Sequence, residues 1–256
     1  MIGEILQLLV LALALVAYFR YARRLKGSLY LIFTALSSAT LLLSLTYYLA
    51  HTYIREGMRV PFAANDIADF GTFLLMSTAL CSAVGTDWGR FRGVTAGAAV
   101  FAAANTCLWI GWSGEWVRDI LGGLSFGYFI CVCIRSVYLT HAVSRWERVL
   151  MWVVSSLLIA AETGTFFVPA GPKALLDGIG TALMLAGEAL LLVRLLLALR
   201  PGKSCDGALS LAFMGLCWNN TSMYMSADPV YTVFSNLMTL HLLLMLLAVR
   251  KKVREA

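Results

Sequence analysis

The chain has 256 residues, of which 60% are hydrophobic and 13% charged, and its formal net charge is +6. Because about a quarter of the residues in a soluble domain are charged, this composition excludes an ordinary soluble protein and indicates one that lies within a membrane. The positive charges lie in short strips between apolar stretches rather than in one folded basic patch. We therefore expect membrane lipids, and no nucleic acid, as partners of these charges.

Nine apolar stretches follow one another along the chain, and each is close to the roughly 20 residues that a spanning helix needs. They cover residues 3–19, 28–50, 64–84, 93–112, 119–138, 149–169, 174–198, 207–224 and 230–249. The sequence thus predicts an all-α, polytopic membrane helix bundle that fills residues 1–256 as a single integral membrane domain. Short links predict one helix followed by four antiparallel hairpins.

Lysine and arginine lie mostly on one side of this arrangement. Fourteen of them follow odd-numbered spans, and four lie in the opposite loops. Because cytoplasmic loops carry the excess of positive charge, we predict an N-terminus outside, a C-terminus in the cytoplasm, and a multi-pass protein of the cytoplasmic (inner) membrane. A cytoplasmic or membrane protein partner would then meet the basic inner loops and the tail residues Arg250, Lys251, Lys252 and Arg254.

Ionisable residues inside the predicted spans are the most informative polar positions, because a charge within the bilayer costs several kcal/mol unless it faces protein or water. Arg135 and Glu188 lie at similar predicted depth. We predict an intramembrane ion pair between them, with a proton or ion relay as the alternative. Arg194 lies close enough to the predicted cytoplasmic end for its side chain to reach the interface.

A second set of polar and aromatic residues lies in the predicted outer half of the membrane. Amides and acids interleaved with aromatic rings are typical of a small-molecule pocket between helices. We therefore predict a pocket that opens outward and binds a small ligand or lipid. Its candidate residues are Asp69, Asn105, Trp109, Glu162, Asn219 and Asn220. An interfacial aromatic belt, which would also include Trp218, is the alternative interpretation of the tryptophans.

Sequence motifs for catalysis and for metal binding are absent. The chain contains no G-x-S-x-G, H-E-x-x-H, Walker or dinucleotide-binding pattern. Of its three histidines, only His141 and His241 lie near enough in predicted depth to share a site. We therefore expect no catalytic residue, no metal and no cofactor, and a lipid-modifying enzyme is the least favoured function.

Residues 47–84 resemble part of a known class of membrane region. Tyr47-Tyr48, then Arg59-Val60-Pro61-Phe62, then the stretch from Ala64 to Phe70 look like the second and third helices of the multi-span N-terminal sensor regions of bacterial signalling proteins of the diguanylate cyclase or histidine kinase type. In those regions a loop with proline leads into an Ala-Asp-aromatic helix start. The resemblance implies a sensor whose output domain lies on another polypeptide.

Two classes of function therefore compete. The first is a stand-alone membrane sensor or scaffold subunit that binds a ligand and engages a separate protein. The second is a small secondary transporter or channel that uses intramembrane carboxylates. All five prolines lie in predicted loops or at helix ends, so no span is interrupted by proline as the broken helices of many carriers are. This pattern favours the sensor or scaffold.

Overall fold

The computed structural model is helical in every part of the chain that it describes. Those parts are residues 2–25, 28–50, 63–84, 115–140, 143–164, 178–226 and 229–255. They form eight α-helices and contain no strand: α1 (Ile2–Arg24), α2 (Leu29–Leu49), α3 (Ala63–Val84), α4 (Glu115–Thr140), α5 (Arg145–Gly164), α6 (Ile179–Ala198), α7 (Cys205–Met225) and α8 (Val230–Glu255). The all-α prediction is confirmed for these residues, and the predicted span 93–112 lies outside them.

Four of the described helices are long and apolar enough to cross a membrane. They are Gly3–Arg24, Leu29–Thr46, Ile179–Ala198 and Val230–Glu255. Many large apolar side chains on these helices are exposed, among them Leu13 at 68% and Val193 at 55%. Exposed apolar side chains of this kind are what a helix presents to lipid. The length, composition and exposed apolar surface of these helices together indicate a membrane protein.

The chain divides into two compact units, residues 1–126 and 127–256. In the first unit α2 packs against both α1 and α3. Thr40 on α2 and Thr72 on α3 bring their hydroxyl oxygens to 2.7 Å. Buried small residues, including Ala14, Ala35 and Ala79, line these contacts, as expected where membrane helices approach closely.

The second unit is built around α7. This helix contacts α5, α6 and α8, and every residue from 208 to 223 is buried. A helix that is buried on all sides lies at the centre of a bundle. The C-terminal half of α4 also meets it, because the hydroxyl oxygens of Ser136 and Ser210 lie 2.6 Å apart. The polar residues of α7 therefore face protein.

Polar contacts hold the N-terminal end of α5 in place within the second unit. Ser144 and Glu147 form a capping box, in which the Ser144 N–H donates to the Glu147 carboxylate at 2.8 Å and the Glu147 N–H donates to the Ser144 hydroxyl at 3.3 Å. The same carboxylate accepts from Arg194 Nε at 2.6 Å. Partial burial acts to raise the pKa of Glu147, but the hydrogen bonds from Ser144 and Arg194 outweigh it and hold that pKa below its usual range. Arg194 therefore joins the end of α6 to the start of α5.

The C-terminal basic tail belongs to α8, which continues six residues past the predicted end of the last span. Lys251 Nζ donates to the carbonyl oxygens of Ala198, Arg200 and Lys203 at 2.9, 2.8 and 2.8 Å. Lys252 forms an ion pair with Asp206. Ala198 is the last residue of α6, where carbonyl groups lack helical partners, and Arg200 and Lys203 lie in the α6–α7 connection. The two lysines therefore hold the tail against this connection and the start of α7.

Candidate functional site

Three polar side chains from three helices meet inside the second unit. Glu188 on α6 is 2% exposed, and Asn219 on α7 and His241 on α8 are fully buried. His241 Nε2 lies 3.8 Å from Glu188 Oε2. On the other side of the ring, Asn219 Nδ2 lies 3.1 Å from His241 Nδ1. We call these three residues the polar cluster.

Two glycines allow the helices to approach each other here. A Cβ on Gly215 would lie 2.0 Å from Cδ2 and 2.1 Å from Nε2 of His241. A Cβ on Gly187 would lie 3.0 Å from both Trp218 Cζ3 and Val154 Cγ2. The His241 ring occupies the space over Gly215, and the Trp218 ring occupies the space over Gly187. Because neither glycine has a side chain, α6, α7 and α8 can approach closely enough to form the polar cluster.

The imidazole of His241 lies between a donor and an acceptor. Its Nδ1 is 3.0 Å from the carbonyl oxygen of Leu237, which can only accept a hydrogen bond. The same Nδ1 is 3.1 Å from Asn219 Nδ2, which can only donate. Asn219 is held in this orientation because Nδ2 also donates to the carbonyl oxygen of Gly215 at 2.8 Å. One ring nitrogen can serve only one of these two partners at a time.

The remaining polar atoms of the cluster have no hydrogen-bond partner among the described residues. They are both carboxylate oxygens of Glu188, Oδ1 of Asn219 and Nε2 of His241. The three oxygens can accept a hydrogen bond or a cation, whereas Nε2 donates when Nδ1 accepts from Asn219. An unsatisfied buried polar group costs about 1–3 kcal/mol, and a charged one costs more. The cluster therefore has the chemistry of a site for a positive charge.

Trp218 closes one side of the cluster. Its side chain is 1% exposed, and its Nε1–H donates to the hydroxyl of Ser155 at 3.2 Å. Placing Trp218 in an interfacial belt is therefore wrong, because its ring fills the space over Gly187. A small cavity beside it, also lined by Met151 and Leu190, has a volume of about 20 Å³, which is room for about one water molecule.

The predicted ligand pocket is only partly within the described residues. Asn219 and Asn220 are buried on α7, at 0% and 7% exposure. Asp69 and Glu162 lie on the helical backbone of α3 and α5, and their side chains fall outside the description, as do Asn105 and Trp109 altogether. The outward-opening pocket stays a prediction.

The predicted ion pair also stays a prediction. Arg135 lies on α4 with an exposed side chain, and the ionisable group that the structure places beside Glu188 is His241. The approach of Asn219 and His241 to Glu188 was not expected from the sequence. A glycine one helical turn before Asn219, at position 215, is the signal that was missed.

The basic tail is partly committed to contacts within the chain. Lys251 and Lys252 bind the α6–α7 connection and the start of α7, whereas the side chains of Arg250 and Arg254 are exposed. Of the four tail residues predicted to meet a protein partner, two therefore stabilise the second unit.

Comparison of the chain with protein-family models, with curated proteins and with solved structures gives no match.

Proposed function

We propose that the chain acts as a membrane sensor or scaffold, whose second unit responds to the occupancy of the polar cluster and whose exposed residues Arg250 and Arg254 engage a separate protein. The observation that carries the proposal is the meeting of Glu188, Asn219 and His241 in a buried interior, where three oxygen atoms of the cluster have no hydrogen-bond partner among the described residues. Ionisable groups within a membrane are costly and mark functional positions. A polar cluster with no role in binding would be less stable than apolar packing.

The continuity of the helices around the cluster favours a sensor over a carrier. α6 runs without a break past Gly187, and α7 and α8 run without a break past Asn219 and His241. Carriers commonly hold their substrate at interrupted helices that line an accessible cavity. Here each cluster residue is at most 2% exposed. A change of charge in such an interior is relieved by a change in helix packing.

The membrane placement that accompanies this proposal has nine spans, with the N-terminus outside and the C-terminus at the cytoplasmic face of the inner membrane. Four long apolar helices support the placement in a membrane, the nine apolar stretches support the number of spans, and the uneven distribution of lysine and arginine supports the orientation. In that placement the exposed side chains of Arg250 and Arg254 lie at the cytoplasmic end of α8, where a partner would meet them. The resemblance of residues 47–84 to bacterial sensor regions supports the same assignment.

Gentle purification of the tagged full chain from its native membrane, followed by mass spectrometry, tests the proposal. We expect a stoichiometric protein partner with the wild type, and at least a tenfold loss of it with the double variant Arg250→Glu/Arg254→Glu, which reverses two exposed charges. Arg118→Glu, which the sequence places at the opposite face, is the matched control and should retain the partner. Absence of a stoichiometric partner, or equal loss in the control, would contradict the sensor or scaffold assignment.

A secondary transporter is the second candidate, and the observation that favours it is the buried carboxylate of Glu188, which has no hydrogen-bond partner among the described residues. Intramembrane carboxylates form proton relays in many carriers. In liposomes that contain the purified chain, a transporter would carry protons or a proton-linked solute, and Glu188→Gln would abolish that flux. Proton flux that depends on Glu188, in a chain that purifies without a partner, would replace the sensor proposal with this one.

A further inference from the structure

The polar cluster is suited to one particular ligand. We infer that the polar cluster binds and releases a single proton, an inference that takes the cluster as the functional site of the proposed function. The proton changes the role of His241 Nδ1. Without it, Nδ1 accepts a hydrogen bond from Asn219, and with it, Nδ1 donates one to the carbonyl of Leu237. The ligand is thus the smallest cation, and the response is an exchange of partners between α7 and α8.

The two states differ by one proton, which is exchanged with the solvent. In the deprotonated state the imidazole carries its hydrogen on Nε2, directed at the Glu188 carboxylate, and Nδ1 accepts from Asn219 Nδ2. The cluster then has a net charge of −1. Protonation at Nδ1 forms an imidazolium, whose Nδ1–H donates to the Leu237 carbonyl and whose Nε2–H faces the carboxylate, for a net charge of zero. Transfer of the Nε2 proton to Glu188 leaves this total unchanged.

The distances place both partners within reach of Nδ1, at 3.1 Å for Asn219 Nδ2 and 3.0 Å for the Leu237 oxygen. When Nδ1 is protonated, two donors face each other, and the Asn219 amide must move away from the ring. Asn219 belongs to the central helix α7, whereas Leu237 and His241 both belong to α8. Protonation therefore exchanges a contact between helices for one within a single helix.

Close packing and ligand number favour a proton over a metal ion. The ring of His241 fills the space over Gly215 so closely that a single Cβ would meet it at 2.0 Å. Hard cations take six or more oxygen ligands, whereas the cluster offers three oxygens without a hydrogen-bond partner among the described residues. Within the described ranges, no group of three His, Cys, Asp or Glu side chains is arranged to hold a metal ion. A divalent ion would also leave an uncompensated positive charge in the interior.

On the surrounding helices, two pairs of ionisable groups are engaged elsewhere, and the side chain of Arg135 on α4 is exposed. Glu147 on α5 pairs with Arg194 on α6, and Asp206 on α7 pairs with Lys252 on α8. Cys217, also on α7, is buried. From α5, Val154 and Ser155 face the Gly187 and Trp218 side of the cluster. Among the described residues, Glu188 and His241 are thus the two groups between which the proton is shared.

Nitrogen-15 NMR of the full chain in lipid nanodiscs, with labelled histidine, tests this inference. Only three histidines are present, and His141→Gln and His51→Gln identify the signals of His241. As pH falls, we expect the His241 signals to pass in one transition from a neutral ring protonated at Nε2 to a ring protonated at Nδ1. Addition of Na⁺ or K⁺ at fixed pH should leave the signals unchanged.

Two variants test the proton affinity of His241 independently of the binding of any protein partner. Glu188→Gln removes the negative charge, and should lower the affinity of His241 for the proton at least about tenfold, since a charge within 4 Å contributes several kcal/mol inside a protein. Asn219→Ala removes the donor to Nδ1 and should instead make protonation easier, which keeps the test informative if Glu188→Gln does not fold.

Either of two outcomes would overturn the inference: His241 signals that do not change over the pH range in which the chain stays folded, or a change driven by Na⁺ or K⁺ at fixed pH. The second would assign the site to a metal cation and leave the sensor proposal intact. If His241 shows a single proton transition but the chain purifies without a stoichiometric partner, the proton-binding inference is supported and the sensor proposal is contradicted.

Discussion

Gly215→Ala is the most direct test of the packing that creates the polar cluster. The new Cβ would lie 2.0 Å from Cδ2 of His241, 2.1 Å from Nε2 and 2.9 Å from Leu191 Cδ2, whereas carbon atoms in contact are about 3.5–4.0 Å apart. The ring therefore has to move by about 1.5 Å. Because it is fully buried, it can move only by disturbing its neighbours or by separating α7 from α8.

The expected magnitude follows from two opposing effects. Alanine is favoured over glycine in a helix by about 1 kcal/mol, while overpacking a well-filled interior costs about 1–3 kcal/mol and sometimes more. An overlap this large belongs at the upper end of that range, which leaves a net loss of about 2 kcal/mol. For a chain of this size that corresponds to a fall of about 4–8 °C in the unfolding midpoint.

Thermal unfolding of the purified chain in one detergent, followed by tryptophan fluorescence, measures the effect. Gly127→Ala is the matched control, because its Cβ would meet Ile159 Cδ1 at an ordinary 3.8 Å, and it should leave the midpoint unchanged or raise it. Adding His241→Ala to Gly215→Ala removes the ring and should cost less than the sum of the two single changes. If Gly215→Ala is as stable as Gly127→Ala, the ring of His241 does not pack on this backbone and the cluster geometry is refuted.

Three further outcomes concern the ends and the centre of the second unit. Lys251→Met removes three hydrogen bonds to backbone carbonyls and should lower the free energy of unfolding by about 2 kcal/mol, whereas the exposed Arg250→Met should change it by less than about 0.5 kcal/mol. Glu147→Gln, which keeps the cap but removes the ion pair, should cost about 0.5 kcal/mol at neutral pH. Because the folded pKa of Glu147 is lowered, its stabilisation is complete above the ordinary value of 4.5 and is lost as pH falls through the folded pKa, so the difference from wild type should vanish in acid. Trp218→Phe should cost about 1–2 kcal/mol because it leaves a gap and removes a buried hydrogen bond, and Trp146→Phe, at an 81% exposed position, should be neutral. Thermal unfolding series measure all three, and an equal effect in the exposed controls would contradict the contacts described.

Apolar length predicted the helices well because a spanning helix has to satisfy its own backbone hydrogen bonds. The boundaries were less accurate where polar residues fix a helix end. α5 begins at Arg145 rather than at the predicted 149, because Ser144 and Glu147 cap it, and this S-x-x-E pattern is visible in the sequence. α8 continues to Glu255 because Lys251 binds carbonyls from the α6–α7 connection, and sequence alone does not show such a distant contact.

The candidate site was predicted one residue at a time but not as a cluster. Glu188 was identified because a buried carboxylate is costly in a membrane. Asn219 was assigned to the outer set, and His241 was considered only together with His141, as two histidines near enough in predicted depth to share a site. Which faces of two helices meet depends on their rotation, and counting residues along a span gives depth without rotation. Gly215, one turn before Asn219, marks the face of α7 that the His241 ring contacts.

The enclosure of α7 has a consequence for how the chain is made. Its run Asn219-Asn220-Thr221-Ser222 places four consecutive polar residues around all sides of the helix, and the structure buries all four. On its own in a bilayer this segment would expose amides to hydrocarbon, at a cost that its apolar residues only partly offset. A chain truncated after Met225 has α5 and α6 but lacks α8. We therefore expect α7 not to remain inserted in the bilayer and the truncated product to be degraded. Membrane insertion and folding of this half of the chain are then one process, completed only after the last helix has been synthesised.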